Sequence, residues 1–364
     1  MDTPRIVIEE QRLDANIEAM AAMARKAGVA LRPHIKSHKL PQIAHKQLAA
    51  GACGITVAKL GEAEVMAEHG IKDIFIANEM MGPEKFARLH ALARTVKLAV
   101  GVDSLEGAKA LAESIRAQGS RMQRILDVLI EVDSGLRRCG VEPGKEVVRL
   151  AKDISKLQNL RLRGIFTHAG HSYGAADRTE LEKIARAEGK VMVESAYDLR
   201  REGIEVEVVS VGATPTVAIS AFVPGVTEIR PGNYVFYDAM QLALGVIPSI
   251  EYCSLRVHST VISHPAPNRW VLDAGSKALS LDKGAHGHSG VEGHGIIIGQ
   301  PQLRLVRLSE EHGVAEGESS LKVGDVVEIV PNHACTVVNL FDEVEVWHGA
   351  EREVWAVAAR GKNR

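Results

Sequence analysis

The chain contains no run of about 18 consecutive apolar residues, the length a membrane-spanning helix needs. Its opening, MDTPRIVIEE, has neither the basic start nor the apolar core of a secretory signal. A cytoplasmic location without a membrane partner is expected. Long Lys/Arg runs are also missing, and 44 Lys and Arg against 46 Asp and Glu leave a formal net charge of -2. Nucleic-acid binding needs a concentrated cationic surface, so the expected partner is a small molecule. The four cysteines, Cys53, Cys139, Cys253 and Cys335, form no CxxC pair. In a reducing compartment they read as free thiols or at most a thiolate ligand, and no disulfide is implied. A GxGxxG turn is absent too.

What is present is ordinary globular material: 364 residues, 46% hydrophobic and 25% charged, enough for one large domain or two of standard size. Short apolar runs rich in β-branched residues recur as VALRPHI, GITVA, DIFIAN, KLAVGV, DVLIEV, RGIFTH, VEVVSVG and TEIRPGNYV. Between them, segments such as LGEAEVMAEHG and SLEGAKALAESIRAQG have helical apolar spacing, several closing on Gly. Eight alternations predict an α/β fold, a closed (β/α)8 TIM-type barrel over residues 12–240, in preference to an open doubly wound sheet. After residue 240, runs such as YCSLRVHSTVISH, RWVLDAG, QLRLVRLS, DVVEIVP and EVEVWHG predict a C-terminal β-rich domain over 241–364. The opening strand, within residues 1–11, is assigned to that second domain, with Asp14 capping the first barrel helix.

Barrel enzymes work at the C-terminal mouth, where strand ends and the following loops converge. The residues there are Lys36 and His38 after the first strand, Lys59 after the second, Asn78 after the third, Asp133 after the fifth, and His168 and His171 after the sixth. Gly212-Ala213-Thr214 follows the seventh strand and Gly232-Asn233 the eighth, small residues that let backbone N–H groups approach a phosphate. The same residues are also ordinary turn formers. Lys36 stands in RPHIKSHK between His34 and His38. Most lysines are solvated, but one at a barrel mouth is partly desolvated, which lowers its pKa and exposes a nucleophilic amine. An amine facing a phosphate cradle is the arrangement pyridoxal phosphate requires.

RPHIKSHK, TVAKLGEAE, EVDSGLRRCG, FTHAGHSY, VSVGATPT, EIRPGNYVFYD and NHACTVVNL together resemble the D-threonine aldolase/D-serine dehydratase family of fold type III pyridoxal-phosphate enzymes, in the alanine racemase-like superfamily. The likeness implies that Lys36 is the Schiff-base lysine and that Arg138 lies near the cofactor's phenolic oxygen. It also implies that His168 lies against the pyridine ring, Arg230 faces the ring nitrogen, and Tyr173 and Tyr237 line the cofactor. Read from the residues alone, Arg138 pairing with Asp133 and His168 as a satisfied core histidine stand equally open. The likeness further implies a homodimer and a metal pair at His333 and Cys335. Two apart on an expected strand, those side chains leave one face and can grip one cation. A thiolate prefers zinc to manganese or magnesium.

In the racemase pattern, racemisation needs a tyrosine from the β domain, and beyond residue 240 the only tyrosine is Tyr252, outside any such motif. The expected activity is therefore a lyase on D-3-hydroxy amino acids. As a dehydratase it uses Lys36 to take the α-proton of D-serine or D-threo-3-hydroxyaspartate, releasing a 2-oxo acid and ammonia. As a D-threonine aldolase it uses His38 or His171 to take the hydroxyl proton. The dehydratase is preferred because Cys335 departs from the aspartate expected of the aldolase branch. Lys59 also departs from the small hydroxyl residue expected in its block. A non-catalytic pyridoxal-phosphate carrier is a single barrel, and the β domain counts against it. His286, His288 and His294, in the Gly-rich stretch 284–295, are candidates for substrate-carboxylate or lid duty, or for a solvated turn.

Overall fold

The structure is a computed structural model that describes residues 2–117, 125–287 and 290–364. The chain opens with β1 (Arg5–Glu9) and α1 (Glu10–Ala27), after which strands and helices alternate. The parallel strands are β2 (Ala30–Leu31), β3 (Ile55–Val57), β4 (Asp73–Ile76), β5 (Lys97–Val102), β6 (Leu126–Glu131), β7 (Leu160–Phe166), β8 (Val208–Val211) and β9 (Glu228–Ile229). Their helices are α2 (Pro41–Ala49), α3 (Leu60–Glu68), α4 (Pro83–Leu92), α5 (Leu105–Ala117), α6 (Lys145–Ile154), α7 (Arg178–Arg201) and α8 (Val217–Ser220).

The helices form because apolar side chains recur at helical spacing and find the sheet. In α6 the buried residues are Val147, Leu150, Ala151 and Ile154, and in α5 they are Ala108, Leu111, Ala112 and Ile115. Both stripes follow an i, i+3, i+4, i+7 pattern that puts one face against the strands. Helix α1 stops at Gly28, whose φ of 70° is the left-handed conformation glycine adopts without strain. It starts at Glu10, directly after β1, so Asp14 lies inside the helix instead of capping it and pairs with Lys46 at 2.9 Å.

The sheet order is β2-β9-β8-β7-β6-β5-β4-β3, and a parallel bridge between His34 and Thr56 joins its two ends. Inside, Arg32 spans Glu228 at 2.8 Å and Asp73 at 2.6 Å, so the charges buried toward the strands' N-terminal ends are paired. Higher up, Phe75 and Phe166 meet edge-on with centroids 5.0 Å apart, under the Arg230 guanidinium. Gly101 makes this possible, since a Cβ there would stand 2.8 Å from the Phe166 ring.

The second sheet holds β10 (Leu255–Ala266), β11 (Arg269–Leu272), β12 (Ile296–Ile297), β13 (Leu303–Leu308), β14 (Gly313–Gly317), β15 (Val326–Val330), β16 (Glu343–His348) and β17 (Glu351–Ala356). Strand β1 belongs to it, antiparallel to β10 and parallel to β16. Three short helices complete the fold: α9 (Ala239–Ala243), α10 (Ser276–Leu279) and α11 (Ala334–Val338). Strands β12, β14 and β17 have no counterpart among the runs read from sequence: β12 has two residues, β14 is Gly- and Ala-rich, and β17 is mostly exposed. Among the described residues, no helix is long and apolar enough to cross a membrane.

Candidate active site

A cavity of about 770 Å³ opens where the C-terminal ends of the barrel strands face α11 and the turn after α10. Lys36 lines it from a 3₁₀ turn, Ile35–Ser37, that follows β2. The turn is held by His34, whose Nδ1 accepts the Lys36 N–H, and by close approach of the loop after β9. A Cβ on Gly232 would stand 2.7 Å from Oγ of Ser37 and 2.8 Å from the carbonyl oxygen of His34, so only glycine lets that loop lie there. Burial lowers the Lys36 pKa, with Arg138 and Arg230 adding to the effect while Cys335 and Glu62 oppose it. The consequence is a larger neutral-amine fraction than an ordinary lysine has. His34 is held well below the usual histidine range by burial first and by Lys36 second, so it is a neutral neighbour.

Gly212, Ala213, Thr214, Gly232 and Asn233 all line the cavity. The Gly212 N–H is not a free donor: it is spent on Oε1 of buried Glu188 at 2.8 Å, so Gly212 acts as a spacer, with φ at 119°. Thr214 Oγ1 accepts the Tyr234 N–H, tying the two loops together. Arg230 is fixed by donating to Oγ of Ser210 and to the carbonyl of Thr167, yet its buried Nε has no hydrogen-bond partner among the described residues. A donor left over in a polar cavity suits a ring nitrogen or another acceptor on a bound group.

Arg138 pairs with buried Glu131 at 3.4 Å and not with Asp133, whose carboxylate instead accepts the Gly135 and Arg137 N–H groups. His168 is no core histidine: it lines the cavity, with Nε2 3.1 Å from Nε2 of His286. Tyr173 sits beside them, its ring centroid 5.5 Å from that of His286, and burial raises its pKa. His286 therefore reaches the cavity, and Gly170 makes room for it, because a Cβ there would come within 2.8 Å of the imidazole. His294 is outside the cavity lining, and His288 lies outside the described residues.

Three expected residues are not brought to the cavity wall. His38 is fully buried, its Nε2 3.3 Å from Gln47 and its Nδ1 accepting the Leu40 N–H, and burial pushes its pKa down to about 3. Both nitrogens are occupied within the core. His171 lies in the turn Gly170–Gly174 with its ring against Gly135, where a Cβ would approach it to 3.0 Å. Tyr237 packs at the junction of the two sheets near Cys253, and burial pushes its pKa up to about 12. Sequence gives strand-end position but not the direction a side chain takes from a turn.

His333 and Cys335 lie not on a strand but at the start of α11, since β15 ends at Val330 and His333 caps the helix. They still meet. Nδ1 of His333 contacts Asp282 at 3.1 Å, leaving Nε2 for the thiol, and Sγ of Cys335 lies 3.2 Å from Oγ of Ser37. Against burial, the Cys335 thiolate and Asp282 raise the His333 pKa to about 10, while His333 lowers that of Cys335. A cysteine sulfur with a lowered pKa beside an imidazole whose other nitrogen is fixed by a carboxylate is a donor pair that could hold a metal ion.

Residues 8–239 match the model of the alanine racemase N-terminal domain, and 254–347 match that of a serine dehydratase domain. The chain is 35% identical to D-threonine aldolase of Arthrobacter sp over all of this chain and 94% of the relative. It is 36% identical to D-threo-3-hydroxyaspartate dehydratase of Delftia sp. (strain HT23), over 92% of this chain and 91% of that one. A variant of D-threo-3-hydroxyaspartate dehydratase solved in the metal-free form superimposes with a TM-score of 0.89 and 33% identity, over 98% of this chain and 97% of that one. The chain belongs to the alanine racemase-like family that joins these two domains and includes D-threonine aldolases and D-3-hydroxy amino acid dehydratases.

Proposed function

We propose that the protein is a pyridoxal-phosphate- and divalent-metal-dependent lyase that dehydrates D-3-hydroxy amino acids. The observation that carries this reading is the His333–Cys335 pair set against the Lys36 turn, which puts a candidate metal-binding pair and a desolvated amine into one cavity. Lys36, His168, Arg230 and the loops after β8 and β9 are the residues that hold the cofactor, and zinc is the metal the thiolate favours. When bound, pyridoxal phosphate supplies an electron sink for negative charge at the substrate's α-carbon. The metal supplies Lewis acidity at the β-hydroxyl.

The chain's own residues do the rest. Burial lowers the Lys36 pKa, which favours the neutral Nζ that takes the α-proton. Arg230, cushioned on Phe166 and fixed by Ser210, orients the bound group from below. The α-proton taken up by Lys36 and the departing β-hydroxyl together account for one water, and the enamine left behind tautomerises to an imine that hydrolyses to a 2-oxo acid and ammonia. The aldolase alternative breaks the α–β bond instead and needs a base for the hydroxyl proton. Dehydration is favoured because the two histidines the sequence nominates for that base, His38 and His171, do not line the cavity.

The test is a product assay on D-serine, D-threonine and D-threo-3-hydroxyaspartate, with and without chelator. Ammonia and a 2-oxo acid establish the dehydratase; glycine and an aldehyde establish the aldolase; turnover untouched by complete metal removal overturns the metal assignment. A homodimer in the cytoplasm completes the reading, and sedimentation of the native protein checks its oligomeric part.

A further inference from the structure

The part of the cavity wall built after β3 carries a cation that the proposed chemistry does not use. Five lysine and arginine side chains line the cavity. Lys36 is the reacting amine. Lys39 is tied to Glu62 at 2.7 Å, Arg138 pairs with Glu131 at 3.4 Å, and Arg230 donates to Ser210 and Thr167. The Lys59 ammonium has no ion-pair or hydrogen-bond partner among the described residues.

The nearby carboxylate in sequence is not available to it. Oε2 of Glu62 accepts the N–H groups of Ala58 at 2.7 Å and of Lys59 itself at 3.1 Å, while Oε1 takes Lys39. The same bonds fix the backbone of Lys59 at the start of α3. Asn339, at the far end of the helix that begins with the His333–Cys335 pair, lines the same cavity. Around the barrel mouth β3 flanks β2 on one side and β9 and β8 flank it on the other. Lys59 therefore lines the cavity just after the strand that adjoins the Lys36 turn. An unpaired ammonium in the cavity wall is stabilised by an anion that the ligand brings.

The geometry points to Lys59 as the residue that selects substrates with a second carboxylate, making the preferred class 3-hydroxy dicarboxylic D-amino acids over D-serine or D-threonine. This rests on the function proposed above. The alternative use of Lys59, holding the α-carboxylate common to every amino acid, is separated from it by experiment.

The cofactor-loaded protein is titrated with D-aspartate and with D-2-aminobutyrate, which lack a β-hydroxyl and so report binding, read from the cofactor absorbance, independently of β-hydroxyl loss or cleavage. D-Aspartate is expected to bind about tenfold or more tightly, the size of one charge-assisted hydrogen bond. Lys59→Met and Lys59→Gln abolish that preference by weakening D-aspartate alone, and Lys59→Arg keeps part of it. Equal weakening of both ligands in the variants, or a wild-type protein without the preference, overturns the assignment. A preserved preference in a protein that turns over none of the D-3-hydroxy amino acids overturns the proposed function and leaves the selectivity of Lys59 standing.

Discussion

Asp282 holds Nδ1 of His333 at 3.1 Å, on the same imidazole that interacts with Cys335. Fixing the tautomer through the outer nitrogen makes the inner one a better ligand. Asp282→Asn is expected to lower metal affinity by roughly 10–100-fold while the protein stays folded. Metal content after dialysis against graded chelator measures it; unchanged retention rules out the role assigned to Asp282.

Gly232→Ala tests whether the Lys36 turn depends on close backbone approach. The added Cβ meets Oγ of Ser37 at 2.7 Å and a backbone oxygen at 2.8 Å, neither of which is the free end of a long side chain. The expected result is loss of cofactor retention with far-UV circular dichroism unchanged. Normal retention would show that the loop yields.

Glu131 gives a pH-dependent prediction. Burial first, and then Glu79, push its pKa from 4.5 up to about 8. Between those values the unfolded chain releases the proton that the folded one keeps, so this group's contribution to stability falls as pH rises, and the loss stops above the folded value. Glu131→Gln cannot titrate, so the variant should gain stability relative to the natural chain on going from pH 5 to pH 8, whatever its constant offset from freeing Arg138. Urea unfolding at the two pH values reads the difference, and a flat difference contradicts it.

His38→Ala separates a core histidine from a catalytic one. It leaves the amide of Gln47 and the Leu40 N–H without their buried partner, a loss of about 1–3 kcal/mol per unsatisfied group. The expected outcome is lower unfolding stability with kcat per folded molecule within about twofold, too small a change for a lost general base. A fall of a hundredfold or more would restore His38 to the chemistry.

The strands were legible because each is a short β-branched run followed by a stripe such as Val147, Leu150, Ala151 and Ile154. That pattern depends only on neighbours in the chain. The same logic placed Lys36, Lys59, Asn78 and His168 at strand ends, and all four line the cavity. It failed for His38, two residues beyond Lys36, because the turn Ile35–Ser37 reverses the side-chain direction and sends the imidazole into the core toward Gln47. It also put His333 and Cys335 on a strand, although Pro331 and Asn332 are local signals that β15 stops at Val330.

The sequence by itself determined the alternation of strand and helix, the change to a β-rich second half and the kinds of groups gathered at the strand ends, because hydrophobic periodicity and loop position are local properties. Only the tertiary structure decided that Lys39 consumes Glu62 and leaves Lys59 unpaired, that His286 crosses from the second half to meet His168, and that Asp282 orients His333. Those contacts join residues distant in the chain, and burial, charge pairing and pKa take their values only once the fold has brought such groups within a few ångströms of one another.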